Sequence, residues 1–368
     1  MKLMLVALGL ALVAALAFTS FQLAPRSLPP PYPAPADGTG STFPAPGGEQ
    51  SVLTLEAATD ISFMRPFIVG FQKAHPRVTV RYVDYLSSEL LARATLACQR
   101  AGATPDLYVT VSTDHLVQLA NDGCGAAVPK VVADPVPGWA KWRRNVIAFA
   151  VEPAVLVYDA RLLKRAEVPT THLALIDALR ANSEAWRGRV GTYDIERSGS
   201  GYNYATFDAR QSATYGRLIE SFGRIQARTY CCSNVMVDAV QRGEILLAYN
   251  VQMSYATAAQ TAGAPIGVIL PTDYQAIQTR SVMMSRDARN HDDAVAFIQY
   301  LVSPRGQAVA RAQITPPRDA TTIGVVSETE RLGQVSVDPS LLALRDRSRR
   351  ERFIREWSQA VRPALDAR

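Results

Sequence analysis

Histidine and cysteine are scarce, four of each in 368 residues. His75, His115, His172 and His291 stand apart, with no H-x-H, H-E-x-x-H or C-x-x-C spacing, so the common zinc and metalloprotease arrangements are excluded. The glycine pattern of a nucleotide loop is incomplete: Arg197-Ser198-Gly199-Ser200-Gly201 meets Tyr204 where G-x-G-x-x-G needs its third glycine, and the Walker lysine is missing. G-x-S-x-G finds no match around Ser198 or Ser200, so a serine nucleophile elbow is absent there. No spacing pairs two carboxylates for acid–base work, and adjacent Asp292 and Asp293 open a helix, where they suit its dipole. Apolar runs outside the N-terminus fall short of the ~20 residues that span a bilayer, which rules out a multi-span membrane protein. Lysine is rare too: five of the 39 Lys+Arg, so the net charge of +6 rests on scattered arginines.

What is present is ordinary globular composition, with 48% hydrophobic and 20% charged residues. At ~150 residues per domain the length suggests about two domains. Lys2 precedes an unbroken apolar run, Leu3 to Phe18, with small Ala15 and Ala17 near its end. Residues 1–18 therefore read as a secretory signal peptide, with an uncleaved membrane anchor as the alternative. Either reading places the rest in the periplasm, and the basic charge then no longer points to nucleic acid. Residues 19–50 form a proline-rich linker, with eight prolines between Pro25 and Pro46; so few branched apolar residues cannot offset the entropy of ordering.

Outside the cytoplasm, Cys98, Cys124, Cys231 and Cys232 suggest bridges, and four cysteines allow three connectivities. Cys98 with Cys124 is the favoured pair, closing a loop worth ~3 kcal/mol in the chain-entropy model. Cys231 and Cys232 are then a vicinal bridge or two thiols, and the alternative for all four is burial as small hydrophobes.

From Ser51 the chain alternates strand and helix. Ser51–Ala58 reads as a strand, and Phe63, Phe67 and Phe71 follow at helical spacing with Ser62 as N-cap. Arg77–Asp84 and Asp106–Val111 repeat the unit, their helices opened by Ser87 and Ser88 and by Ser112 and Thr113. Three such units imply a mostly parallel sheet flanked by helices, with ligands bound beyond the carboxyl ends of its strands. Thr59, Asp60, Ser87, Ser88, Ser112 and Thr113 lie at those ends, each at a helix start that favours anions. Taken singly, each is also an ordinary N-cap. Asn145–Asp159 is a long apolar strand crossing to a second lobe, where the Arg197–Gly201 segment precedes a helix beginning YNYATFDARQ. Its glycines permit close backbone approach and Arg197 offers a fork for phosphate or carboxylate, with Arg280 as a second cation. Strand Ile245–Val251, strand Ala276–Ser285 and helix HDDAVAFIQYLVS follow. A basic amphipathic helix closes the chain, with Phe353, Trp357 and Val361 on one face.

The segments AATDISFMRPFIVGFQKAHPRVTVRYVD, PDLYVTVSTDHLVQLANDG, AVEPAVLVYDARLL, YDIERSGSGYNYATFDARQ, GEILLAYNVQMSYA and AVAFIQYLVSPRGQAVA, in that order, resemble a known family. It is the ferric-iron-type group of extracellular solute-binding proteins of ABC transporters, of the type II periplasmic-binding-protein fold. Within it the chain is most similar to phosphoglycerate-transport regulatory-protein-like members and to binding proteins that accompany two-component sensor kinases. The resemblance spans about residues 53–363. It implies two α/β lobes joined by crossover hinge strands: lobe 1 from 51–147 and 270–335, lobe 2 from 148–269, and a packed helical segment, 336–368.

By position in that family, lobe 1 contributes Thr59, Asp60, Ser112 and Thr113 to the ligand, and lobe 2 contributes Arg197, Ser198, Gly199, Ser200, Tyr249 and Asn250. The family's iron binders carry adjacent tyrosines just after the asparagine matching Asn250. Here that place reads Gln252-Met253, and the chain has no Tyr-Tyr pair. Close relatives usually carry glycine at Met253. The implied function is capture of a small organic anion, a phosphorylated or carboxylated metabolite or a phosphonate, by a monomer without cofactors. Its partner is a permease or the periplasmic domain of a sensor histidine kinase. The alternatives are a secreted hydrolase-type enzyme and a ferric-iron carrier. A bridge between lobes could prevent their opening, which favours pairing within lobes.

Overall fold

A computed structural model describes residues 38–100, 104–211, 213–314 and 336–362. The expected signal peptide and the expected linker up to residue 37, residues 315–335, which the resemblance assigns to lobe 1, and the last six residues lie outside them. Strands and helices alternate as the patterning predicts. First come β1 (Thr39–Phe43), β2 (Ser51–Ala58), α1 (Ile61–Ala74), β3 (Val78–Asp84), α2 (Ser87–Arg100), β4 (Leu107–Thr110) and α3 (Thr113–Asn121). Short β5 (Gly125–Ala126) and β6 (Lys141–Trp142) lead into the long β7 (Val146–Asp159). Then follow α4 (His172–Ala181), β8 (Val190–Tyr193), α5 (Gly199–Gln211), α6 (Tyr215–Arg224), β9 (Arg228–Tyr230), α7 (Ser233–Gln241), β10 (Leu247–Gln252), α8 (Met253–Thr261) and β11 (Ile266–Ile269). β12 (Ile277–Ser285) returns, and α9 (His291–Val302), α10 (Pro304–Gln313), α11 (Ser340–Leu344) and α12 (Arg347–Val361) complete the described chain.

The main path of the sheet runs β1-β3-β2-β4-β12-β7-β10-β8-β9. β2 lies parallel to β3 and β4, and β8 parallel to β9 and β10, as strand–helix–strand connections require. Between these parallel groups stand two antiparallel crossover strands. β7 pairs with β12 as far as Pro153 and with β10 and β11 from Ala154 onward, so one strand serves both lobes and changes partner at Pro153–Ala154. Each lobe has its own apolar core, the first built on Leu53, Phe67, Phe71 and Phe297, the second on Val155, Tyr204, Met236 and Val240.

Three local expectations change. The proline-rich stretch does not continue to residue 50 as a tether, because Thr39–Phe43 pairs antiparallel with β3 and forms the edge of the sheet. Phe43 is buried under the Arg65 guanidinium, and its carbonyl accepts from Gln72 Nε2 at 2.9 Å. Asp60 rather than Ser62 stands at the N-cap position of the first helix, without a side-chain cap bond, which places Pro66 two positions deeper in the helix. The glycine-rich segment is not a loop ahead of its helix, since Gly199, Ser200 and Gly201 form the first turn of α5 and Ser198 Oγ accepts from Gly201 N–H at 3.1 Å. A Cβ on Gly201 would lie 2.3 Å from Tyr193 Cβ, so glycine lets α5 seat on β8. Cys98 and Cys124 are bridged, tying the end of α2 to the turn after α3, and Cys231 and Cys232 form a second, vicinal bridge.

Candidate ligand site between the lobes

Glu152 is the one charge inside β7, whose second carboxylate, Asp159, stands at its end, and Arg280 is the lone charge in β12. Both lie where the crossover strands change partners, Arg280 at a bulge beside Ser281, and both side chains are fully buried. Burying one alone would be prohibitive, and the fold pairs them at 2.8 Å. Arg280 also donates to Thr59 Oγ1 at 2.6 Å and Gln252 Oε1 at 3.4 Å, with its guanidinium 3.8 Å above the Phe63 ring. Its Nε is buried and has no hydrogen-bond partner. Glu152 accepts in addition from the Ser254 N–H at 2.8 Å.

Around this pair, helix starts from both lobes meet. Asp60, at the N-cap position of α1, accepts from Asn234 Nδ2 in the first turn of α7 at 3.2 Å and from Tyr255 OH in the first turn of α8. Ser233 Oγ accepts from Gln252 N–H at 2.9 Å and shares a 2.5 Å hydrogen bond with Tyr193 OH. Burial and the charge of nearby Asp60 push the Asp84 carboxyl up to about 7. A second meeting place joins α2, α3 and α5. Gly199 N–H donates to Ser87 Oγ at 2.8 Å, and Asn203 Nδ2 to Asp114 Oδ1 at 2.8 Å. A Cβ on Gly199 would fall 2.3 Å from Ser112 Oγ, a buried hydroxyl without a partner. Burial pushes His115 beside it down to about 4. Gln252 connects the two places, donating to Ser200 Oγ at 3.2 Å.

Of the residues assigned from sequence, Thr59, Asp60, Ser112, Gly199 and Ser200 stand at these junctions. Thr113 also lies at a helix start but turns to the crossover strand, donating to Thr279 O at 2.9 Å. Ser198 caps its own helix, and Arg197 is exposed, its carbonyl accepting from Ser88 Oγ at 3.5 Å. Tyr249 and Asn250 turn into lobe 2, where both donate to Asp208, at 2.9 and 2.8 Å. Burial raises that carboxyl to about 6, and Asn250 adopts φ +59°. Sequence reasoning missed Glu152, Gln252, Tyr255 and Asn234 as partners across the junction, whereas Ser87 stood among the strand-end residues it singled out. A usable signal existed for Glu152: a carboxylate in the middle of an apolar strand implies a buried cation, and Arg280 is the one charge of the other crossover strand.

Among the described residues no helix is long and apolar enough to cross a membrane, and no group of three or more His, Cys, Asp or Glu could hold a metal ion. The family model for bacterial extracellular solute-binding proteins matches residues 67–321. No curated protein sequence matches the chain. Among solved structures, the substrate-binding protein of an ABC transporter from Agrobacterium tumefaciens is 29% identical, with a TM-score of 0.81, over 89% of this chain and 100% of its own. The periplasmic binding protein AfuA from Actinobacillus pleuropneumoniae, with fructose 6-phosphate bound, is 17% identical, with a TM-score of 0.64, over 86% and 100%. The ferric binding protein from Campylobacter jejuni is 14% identical, with a TM-score of 0.61, over 84% and 99%. The family and these neighbours bind solutes and are not enzymes. With its two α/β lobes sharing crossover strands, the chain belongs to the bacterial extracellular solute-binding proteins and has the type II periplasmic-binding-protein fold.

Proposed function

We propose that the protein captures a small organic anion between its lobes, a phosphorylated metabolite ahead of a carboxylate or phosphonate, and presents it to a permease or to a sensor kinase's periplasmic domain. The observation that carries this is the meeting of helix starts from both lobes, those of α1, α7 and α8 around a fully buried Arg280 and those of α2, α3 and α5 at a second place that Gln252 links to the first. Free N–H groups at helix starts favour an anion, and a guanidinium supplies the matching fork. The carboxylates of Asp60 and Glu152 beside that cation suit a ligand that carries hydroxyls as well as a negative group, since they accept from hydroxyls and repel a bare anion. The similar AfuA holds such a compound, fructose 6-phosphate. Lobe closure about the crossover strands would bring the two sets of helix starts onto the ligand.

Calorimetry with fructose 6-phosphate, 3-phosphoglycerate, an alkylphosphonate and citrate, against fructose as the neutral control, tests the proposal. Saturable binding of at least one anion with none of fructose is expected; equal binding of fructose, or binding of nothing, sinks it. Permease and ATPase genes beside this one would mark uptake, and a lone sensor kinase gene signalling. A second reading, ferric iron, draws on the oxygen donors Asp60, Tyr255 and Asp84 grouped near the junction. It requires a coloured protein that bleaches with chelator, and Arg280 among those donors disfavours it.

A further inference from the structure

The vicinal Cys231–Cys232 bridge lies in the short link between β9 and α7, with Cys232 as the N-cap of α7. Its neighbours in sequence are the junction residues themselves. Ser233 holds the Gln252 N–H and Tyr193 OH, Asn234 reaches across to Asp60, and the Cys232 carbonyl accepts from Met236 N–H at 3.2 Å. The state of two adjacent sulfurs is therefore coupled through one or two peptide units to contacts that both lobes share.

We propose that Cys231–Cys232 is a thiol–disulfide exchange site that sets the order of the α7 start and, through it, the junction. Two features distinguish this bridge from Cys98–Cys124. Adjacency holds the Cα atoms 3.8 Å apart, below the roughly 4.4–6.8 Å that bridges usually span, and such bridges are the more readily reduced. Both of its sulfurs belong to part-exposed residues, whereas in the other bridge Cys98 is part-exposed and Cys124 is buried. The co-reactant is a dithiol. One of its thiolates attacks an accessible sulfur, breaking Cys231–Cys232 and forming a mixed disulfide, and its second thiol displaces the protein sulfur. Two electrons and two protons pass to the protein, which gains two thiols as the dithiol leaves as its own disulfide. Freed of the ring, the link regains backbone freedom ahead of Ser233, and the bonds of Ser233 and Asn234 loosen.

The experiment needs no ligand. The full chain is titrated with dithiothreitol, new thiols are alkylated and mapped by mass spectrometry, and amide exchange is followed in the peptides containing Met236 and Gln252. The expectation is that Cys231 and Cys232 are alkylated before Cys98 and Cys124, and that exchange at Met236 and Gln252 rises about tenfold while His115, bonded to Ser112 O, is unchanged. A Cys231→Ser, Cys232→Ser double variant should exchange like the reduced protein and ignore the reductant. Reduction of Cys98–Cys124 first, or unchanged exchange at Met236 and Gln252 after Cys231–Cys232 opens, overturns the proposal.

Discussion

Arg280 and Glu152 illustrate how far one residue type in one place constrains the rest. Each is a charge buried in the interior of a strand, so each requires the other, and Arg280→Met is expected to cost about 3–5 kcal/mol because Glu152 is left buried and unpaired. Adding Glu152→Gln should recover part of that loss, and guanidinium unfolding of the two single variants and the double variant measures it; strict additivity would argue against the pair. Arg197, exposed at the lobe edge, is expected to change stability by less than about 0.5 kcal/mol on substitution by alanine. Asp84 supplies a pH signature. Its folded pKa of about 7 exceeds the unfolded value of roughly 3.9, so the folded state holds the proton more tightly. That contribution is complete below about pH 4 and lost as pH rises toward 7. Asp84→Asn should therefore gain stability relative to the native chain at pH 8 compared with pH 5, and an equal difference at both pH values in urea unfolding would refute the assignment.

At the scale of elements, strand and helix types were legible because period-2 and period-3.6 patterns persist over whole segments, as in Val78–Asp84 and Ile61–Ala74. Their ends were less so. Asp60 and Ser62 are both good caps, and only the packed position of α1 selects Asp60. Gly199 and Gly201 read as a loop because glycine is poor inside helices; the structure spends them on close approaches that no local pattern announces. Their substitutions should differ in kind. Gly201→Ala collides with Tyr193 inside lobe 2 and is expected to cost about 1–3 kcal/mol of stability. Gly199→Ala meets Ser112 across the junction, so its main effect should be a more open molecule with a larger radius of gyration by X-ray scattering, with little change in unfolding midpoint. A Gly199→Ala protein that scatters like the native chain would argue against lobe contact at this point.

At the scale of the molecule, the C-terminal segment ties the lobes from outside. Arg345 donates to Gln118 Oε1 at 2.8 Å in lobe 1, whereas Arg362 pairs with Asp194 and Ser358 with Glu196 in lobe 2. Trp357 is buried against lobe 2, and Trp357→Ala is expected to cost about 3–5 kcal/mol, read as a lowered unfolding midpoint. The amphipathic spacing of Phe353, Trp357 and Val361 announced a packed helix but not where it packs, since periodicity identifies an apolar face and not its complement. The same limit explains the site. Sequence by itself determined the order of strands and helices, the polar residues at strand ends and the separation into two lobes, because these follow from local patterns and from connection rules. Only the tertiary structure decided that Arg280 rather than Arg197 is the buried cation, that Tyr249 and Asn250 face Asp208, and that Ser87, Asn234 and Tyr255 meet partners in the other lobe. These contacts join residues 112 to 195 positions apart, and such pairs are set by the packing of whole lobes, which no window of sequence contains.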